Sequence, residues 1–155
     1  MITIGREHNP HLIKDVIVSI WDYIIDDTEI LPEEYEPLVT DESRWYYSED
    51  DGELYGLYWV HRLNHVTWQI HTNVLPEHWG DGRSRDHARK LLAHVFQDTG
   101  AEKLVAQIPA ISRNVLEYAV DVGFQIEGCS DGVWQKNGEL YDMFYLGLNK
   151  HSIGK

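Results

Sequence analysis

The stretch from Val74 to Leu92 constrains this chain most. An extended run ends in Val74-Leu75-Pro76, a turn carries Gly80 and Gly82, and an apolar stripe at helical spacing follows. Glycines let a backbone turn through positive φ and let a ligand approach without a Cβ in the way. The helix after the turn presents unpaired N–H groups and the positive end of its dipole, which together make an anion site. Arg83, Arg85, Arg89 and Lys90 make this the one strongly basic run of an acidic chain. The spacing predicts a strand, a phosphate-holding turn and a helix. It matches neither the Walker P-loop, which ends in Gly-Lys-Ser/Thr, nor the dinucleotide fingerprint.

Before this segment, Ile2–Ile4 reads as a first strand. Asn9-Pro10 starts a helix in which Leu12, Ile13, Val16, Ile17, Ile20, Trp21, Ile24 and Ile25 recur at three- and four-residue steps until Asp26-Asp27. Leu31-Pro32-Glu33-Glu34 predicts a second helix start, kept short by Pro37. Arg44–Ser48, Leu54–Leu63 and His65–Val74 are rich in Tyr, Trp, Val and Ile, and turns at Asp51-Gly52 and Leu63-Asn64 make them an antiparallel meander. After the turn, Ala88, Leu91, Leu92, Val95 and Phe96 share one helix face that Gly100 ends. Lys103–Ile108 reads as a buried strand, Ser112 to Val122 as a helix ended by Gly123, and Phe124–Gly128 and Leu140–Leu148 as two last strands around Asn137-Gly138. The order β α α β β β α β α β β predicts a mixed α/β (α+β) fold with helices on a largely antiparallel sheet.

At 155 residues, with no linker or repeat, the chain is expected to form a single domain over 1–155. Its single cysteine, Cys129, excludes an internal disulfide and favours a reducing compartment. The N-terminal residues lack a signal-peptide pattern, and no apolar run approaches the ~18 residues of a membrane span, so a cytoplasmic protein without membrane partners is expected. Residues 1–53 hold 15 acidic and 3 basic side chains, and residues 54–155 hold 11 and 10, which places most of the net −13 in the first third. That balance argues against nucleic acid, which needs clustered Lys and Arg. It suits either a solvated surface or the attraction of a basic partner.

The run Val74-x-Pro76-x-x-Trp79-Gly80-x-Gly82-x-Ser84 before an amphipathic helix resembles the acetyl-CoA motif of the GNAT N-acetyltransferases, Val-x-Pro-x-x-(Arg)-Gly-x-Gly-x-(Gly). The later elements follow that family's order over roughly residues 54–148. The resemblance implies about seven strands and four helices, with strand 4 splayed from strand 5 and pantetheine inserted between them. It implies acetyl-CoA as co-substrate, with backbone groups of Thr72, Asn73 and Val74 on the pantetheine. The turn formed by Trp79, Gly80, Asp81, Gly82, Arg83, Ser84 and Arg85 would then hold the pyrophosphate. Wording such as Thr-Trp-Gln-Ile-His-Thr, Ile-Pro-Ala and Gly-Glu-Leu-Tyr-Asp is also similar to a GNAT subgroup of tailed-phage genomes, some named head-assembly proteins.

The catalytic equipment departs from the family pattern. Trp79 stands where the motif has Arg or Gln, Ser84 where it ends in Gly, Ser112 at the family's Asn, and Ala119 at the frequent Tyr acid. Tyr118 is adjacent, but one helical residue is a rotation of ~100°. Acetylating an amine needs a base for the ammonium proton and an acid for the thiolate. His71, on the same strand side as Gln69, is the candidate base; the other reading is a packed, hydrogen-bonded strand histidine. Ser112 is a candidate helix cap and a candidate hydrogen-bond donor to the cofactor. Tyr141 and Tyr145 are further candidate acids. Nine histidines form no metal motif, and no metal is expected. The expected function is acetyl transfer from acetyl-CoA to an amine of a small molecule or protein. The alternative is a catalytically weak or inactive GNAT-fold phage protein that acts as an assembly or host-protein-binding module. The oligomeric state stays open, since the last strand suits pairing in a homodimer.

Overall fold

Aromatic and β-branched residues build a seven-stranded sheet in the order β1-β2-β3-β4-β5-β7-β6. The computed structural model describes residues 1–28 and 30–153. The strands are β1 (Ile2–Glu7), β2 (Ser43–Asp50), β3 (Glu53–Arg62), β4 (Thr67–Val74), β5 (Lys103–Pro109), β6 (Gln125–Lys136) and β7 (Glu139–Asn149). Neighbours pair antiparallel except β4 and β5, which are parallel. The connecting helices are α1 (Pro10–Ser19), α2 (Trp21–Ile24), α3 (Ser84–Thr99) and α4 (Arg113–Asp121). The strands, and the helices that follow β4 and β5, come in the expected order. Two-residue turns with positive φ close the hairpins at Asp51-Gly52 and Asn137-Gly138. Among the described residues, no helix is long and apolar enough to cross a membrane.

Three local expectations are corrected. The long periodic helix breaks at Ile20, where φ is −117° and ψ 18°, and resumes as the single turn of α2. Ser19 donates its hydroxyl to the Val16 carbonyl there (2.5 Å), a local bond that competes with the helical ladder. The helix expected from Leu31-Pro32 is one 3₁₀ turn, Pro32–Glu34, because Tyr35 already has extended dihedrals. The loop expected after Gly128 is strand instead. β6 continues to Lys136 through register shifts at Ile126/Gly128 and Ser130/Trp134, and bulges of this kind are invisible to a strict two-residue period.

Both sheet faces are covered, which explains why aromatics alternate with aromatics. Tyr46, Tyr58, Val60, Trp68 and Ile70 point to α3 and α4, where Leu91, Leu92, Val95, Phe96 and Ala119 complete the main core. The neighbouring positions Trp45, Leu57 and Trp59 point the other way, to Ile13 and Ile17 of α1. Each fully buried aliphatic side chain contributes ~1.5–3 kcal/mol, so both layers are needed to hold the sheet. The α1 face of β3, β4 and β5 is where the candidate site lies.

Candidate active site

The register of β4 creates an opening. Strand β4 stays paired with β3 up to Gly56↔Val74, but its parallel ladder with β5 covers only Thr67↔Lys103, Trp68↔Leu104 and Gln69↔Val105. From Ile70 onward the two strands part, while β5 stays bonded to β7 out to Pro109↔Met143. The backbone edge of residues 70–74 therefore faces a gap rather than a neighbour, and Thr72, Asn73 and Val74 line it. This is the expected splay.

The turn after β4 closes one end of the gap. Leu75 N–H donates to the Tyr55 carbonyl (3.0 Å), Pro76–His78 makes a 3₁₀ turn, and Gly80 and Gly82 take φ of +75° and +83°. A side chain at either glycine would meet nothing but would be strained at that φ, so the glycines serve turn geometry. The N–H groups of Gly80, Gly82, Ser84 and Arg85 find no acceptor among the described residues. Two free donors in the turn and two in the first turn of the 16-residue helix form a cradle that fits a pyrophosphate.

The side chains of the turn are more self-contained than its backbone. Asp81 accepts from the Tyr55 hydroxyl (2.8 Å) and from the Arg83 N–H (2.9 Å) and guanidinium (2.9 Å), which keeps its carboxyl below the usual range. Arg83 also pairs with Asp50 at 2.6 Å, and Arg85 pairs with Asp121. The two arginines expected to meet phosphate thus already have carboxylate partners. Trp79, 56% exposed, donates its indole N–H to the Val74 carbonyl (2.9 Å) and meets Tyr23 of α2 edge-on at 5.1 Å. Beneath the turn, Tyr55 is sandwiched between His78 (4.6 Å) and His87 (3.6 Å).

On the α1 face the strands gather a second set of groups. His71 of β4 stands opposite Trp59 of β3, two residues past the last β4–β5 pair. Trp59 stacks on both His61 (4.4 Å) and His71 (4.5 Å), and the two Nε2 atoms are 3.1 Å apart. Trp59 is fixed in turn: its indole donates to the Ser43 hydroxyl (2.8 Å), which donates to the Leu38 carbonyl (2.7 Å). Burial, reinforced by His61, pushes the His71 pKa down to about 4; burial also lowers His61. Gln69 and His71 share this face, as do Val105 and Gln107 of β5, and Tyr145 lies opposite Gln107 on β7. The gap is therefore flanked by His71 on one side and by Gln107 and Tyr145 on the other.

The remaining candidates are resolved one by one. Ser112 occupies the N-cap of α4, just past the end of β5, but its side chain makes no capping bond. Ala119 is buried in the main core. The Tyr118 hydroxyl donates to the Ser84 carbonyl (2.6 Å), tying α4 to the start of α3, and points away from the position of Ala119. Tyr141 donates to Glu139 (2.9 Å) and Tyr145 has no bonded partner among the described residues. Away from the gap, the exposed Cys129, Asp131 and Asp142 bring ligand atoms within 4.8 Å of one another on the bulged β6–β7 pair. Sequence reasoning missed His61 as a neighbour of His71: a two-residue turn at Leu63-Asn64 would set His71 opposite Gly56, whereas the longer loop observed sets it opposite Trp59.

No family model matches the chain. It is 28% identical over 108 residues to YoaA of Bacillus subtilis, an uncharacterized N-acetyltransferase, covering 68% of this chain and 58% of that one. The chain thus spans 58% of the length of the curated relative it matches. Among solved structures, the spermidine N-acetyltransferase of Vibrio cholerae in complex with CoA and spermine superposes with a TM-score of 0.82 at 19% identity, over 99% of this chain and 98% of that one. The yncA protein of Salmonella typhimurium with its cofactor acetyl-CoA superposes with a TM-score of 0.75 at 18% identity, over 96% and 94% of the two chains. At these identities the likeness is one of fold. With seven strands in this order and the β4–β5 splay, the chain has the GNAT acetyltransferase fold.

Proposed function

We propose that this chain, as one domain, transfers the acetyl group of acetyl-CoA to the amine of a small cationic acceptor. The observation that carries the reading is the gap between β4 and β5, with free N–H donors at one end and His71 on its α1-side wall. Acetyl-CoA supplies the activated acyl group. Backbone groups of Thr72, Asn73 and Val74 would hold its pantetheine, and the N–H groups of Gly80 to Arg85 its pyrophosphate. Trp79 and Asp81 shape that turn.

In this reading His71 is the base. Burial lowers its pKa to about 4, so at pH 7 it is neutral with its lone pair free, and it is a weaker base than one matched to the operating pH. Tyr145, whose hydroxyl has no protein partner among the described residues, is the acid that protonates the departing thiolate, and the Ser112 hydroxyl at the start of α4 is a second candidate donor. Support for a cationic acceptor comes from the acidic residues 1–53, which include α1 and α2 on this face, and from the spermine-bound Vibrio enzyme of the same fold. The cytoplasm is the proposed site of action, since acetyl-CoA is met there.

Titrating acetyl-CoA into pure protein tests the binding step, with heat of binding and a raised melting temperature expected. Thiol release over an amine panel that includes spermidine and a basic peptide tests the transfer. No binding would overturn the reading.

One observation favours a second reading. Ala119 is buried, and the Tyr118 hydroxyl is bound to Ser84, so α4 offers no acid. A chain that binds acetyl-CoA but acetylates none of the panel would instead be a binding module, of the phage-assembly or host-binding kind.

A further inference from the structure

We propose that His61 and His71 act as one proton-transfer unit, in which His71 takes the proton lost by the acceptor ammonium and His61 carries it to solvent. The proposal rests on the acetyl-transfer reading. The motivating geometry is a direct contact: the two Nε2 atoms lie 3.1 Å apart, one at the edge of the gap and the other on the next strand toward the sheet margin. At that distance one Nε2 carries a hydrogen and the other a lone pair. The arrangement is built rather than incidental. Both rings lie on the single face of Trp59, and Trp59 is held in place through Ser43 to Leu38.

The surroundings suit transfer rather than storage of charge. Among the described residues, no carboxylate makes an ion pair with either ring; both stack on Trp59 and touch each other, and the cross-strand neighbours of His61 are the uncharged Ser43 and Gln69. A protonated His71 is disfavoured where it stands, so a proton received there has every reason to move on. His61 is the less deeply set of the two.

The proton count requires such an exit. The ammonium gives one proton to His71, and the freed electron pair forms the C–N bond to the acetyl carbonyl carbon while the C–S bond breaks. The thiolate leaves with the electron pair of that bond. It is protonated as the nitrogen sheds its second proton on becoming an amide. One proton per turnover stays on the protein and must reach water. His71 receives it at Nδ1 and passes its Nε2 hydrogen to Nε2 of His61. His61 then releases its Nδ1 hydrogen to solvent, and the two tautomers reset through water. His61 is thus a positioning and proton-carrying residue that acts through His71.

The test uses the full chain with acetyl-CoA and spermidine. His61→Gln keeps a hydrogen bond to His71, and His61→Phe keeps the stacking on Trp59; neither carries a proton. Both are expected to lower kcat about 10- to 30-fold, below the full effect of losing a base. The KM for acetyl-CoA should stay within about twofold, and free imidazole should restore part of kcat, because it replaces the lost carrier. Full kcat in either variant, or a loss that imidazole does not relieve in a normally melting protein, would overturn the relay and leave acetyl transfer standing. Absence of transfer by the unaltered protein would remove acetyl transfer and the relay together. Histidine NMR adds a readout independent of the acceptor. His61→Gln should shift the titration of His71, and an unchanged titration would refute the coupling.

Discussion

The indole N–H of Trp79 donates to the carbonyl of Val74 over 2.9 Å, folding the turn back onto the strand it leaves. Val74 lies on the edge that the proposed pantetheine would use, and the indole already takes one of the two lone pairs of its carbonyl. Trp79→Phe is expected to bind acetyl-CoA more tightly by the worth of one neutral hydrogen bond, ~1 kcal/mol or about fivefold. Calorimetric titration measures this directly. Weaker binding would mean that the indole supports the site instead.

His71 links stability to pH. An unfolded histidine titrates near ~6.5, and folded His71 near about 4. Between these values the unfolded chain binds a proton that the folded chain excludes. Stability from this residue is therefore intact above about pH 6.5 and is lost as pH falls toward 4, by roughly 3 kcal/mol in full. Urea unfolding of the unaltered protein and of His71→Gln at pH 7 and pH 4.5 should show a smaller drop for the variant. Parallel drops would mean that the histidine is not the group responsible.

The two tyrosines should separate structure from catalysis. Tyr118→Phe removes a 2.6 Å bond between α4 and the Ser84 carbonyl and is expected to cost ~1 kcal/mol of stability with turnover kept. Tyr145→Phe, with no bond to lose, should leave stability alone and lower kcat about 10- to 100-fold if it is the acid. The opposite pattern would return the acid role to α4.

His87 is fully buried, with neither ring nitrogen bonded among the described residues, stacked on Tyr55 and 3.6 Å from an Asp50 oxygen. Burial holds its pKa down, so it carries the cost of unpaired polar atoms without the gain of an ion pair. His87→Phe keeps a planar ring and removes those atoms, and should raise stability by ~1 kcal/mol in chemical denaturation. A loss would point to a water bonded to the ring.

Much of the fold was legible because its signals are local. Gly100 at φ +73° ends α3, Asp51-Gly52 turns β2 into β3, and the stripe from Ala88 to Phe96 faces the core. The break at Ile20 was not legible, since its cause is one hydroxyl bonding backward in an unbroken apolar period. The extension of β6 was hidden too, because a bulge pays no heed to alternation and β7 supplies the pairing. Ser112 was placed correctly as a helix start, but the expected capping bond is missing.

The sequence by itself determined the order of the strands, the glycine turn at Gly80 and Gly82, the helix whose N–H groups follow it, and the presence of His71 on the side of Gln69. These rest on backbone conformation and short-range periodicity, which a few neighbouring residues dictate. Tertiary structure alone decided that β4 and β5 part after Gln69 and Val105, that Arg83 and Arg85 already hold aspartates, and that His61 reaches His71 across Trp59. Those features are pairings between residues far apart in the chain. Strand register and packing on two sheet faces select them, and no local pattern encodes that choice.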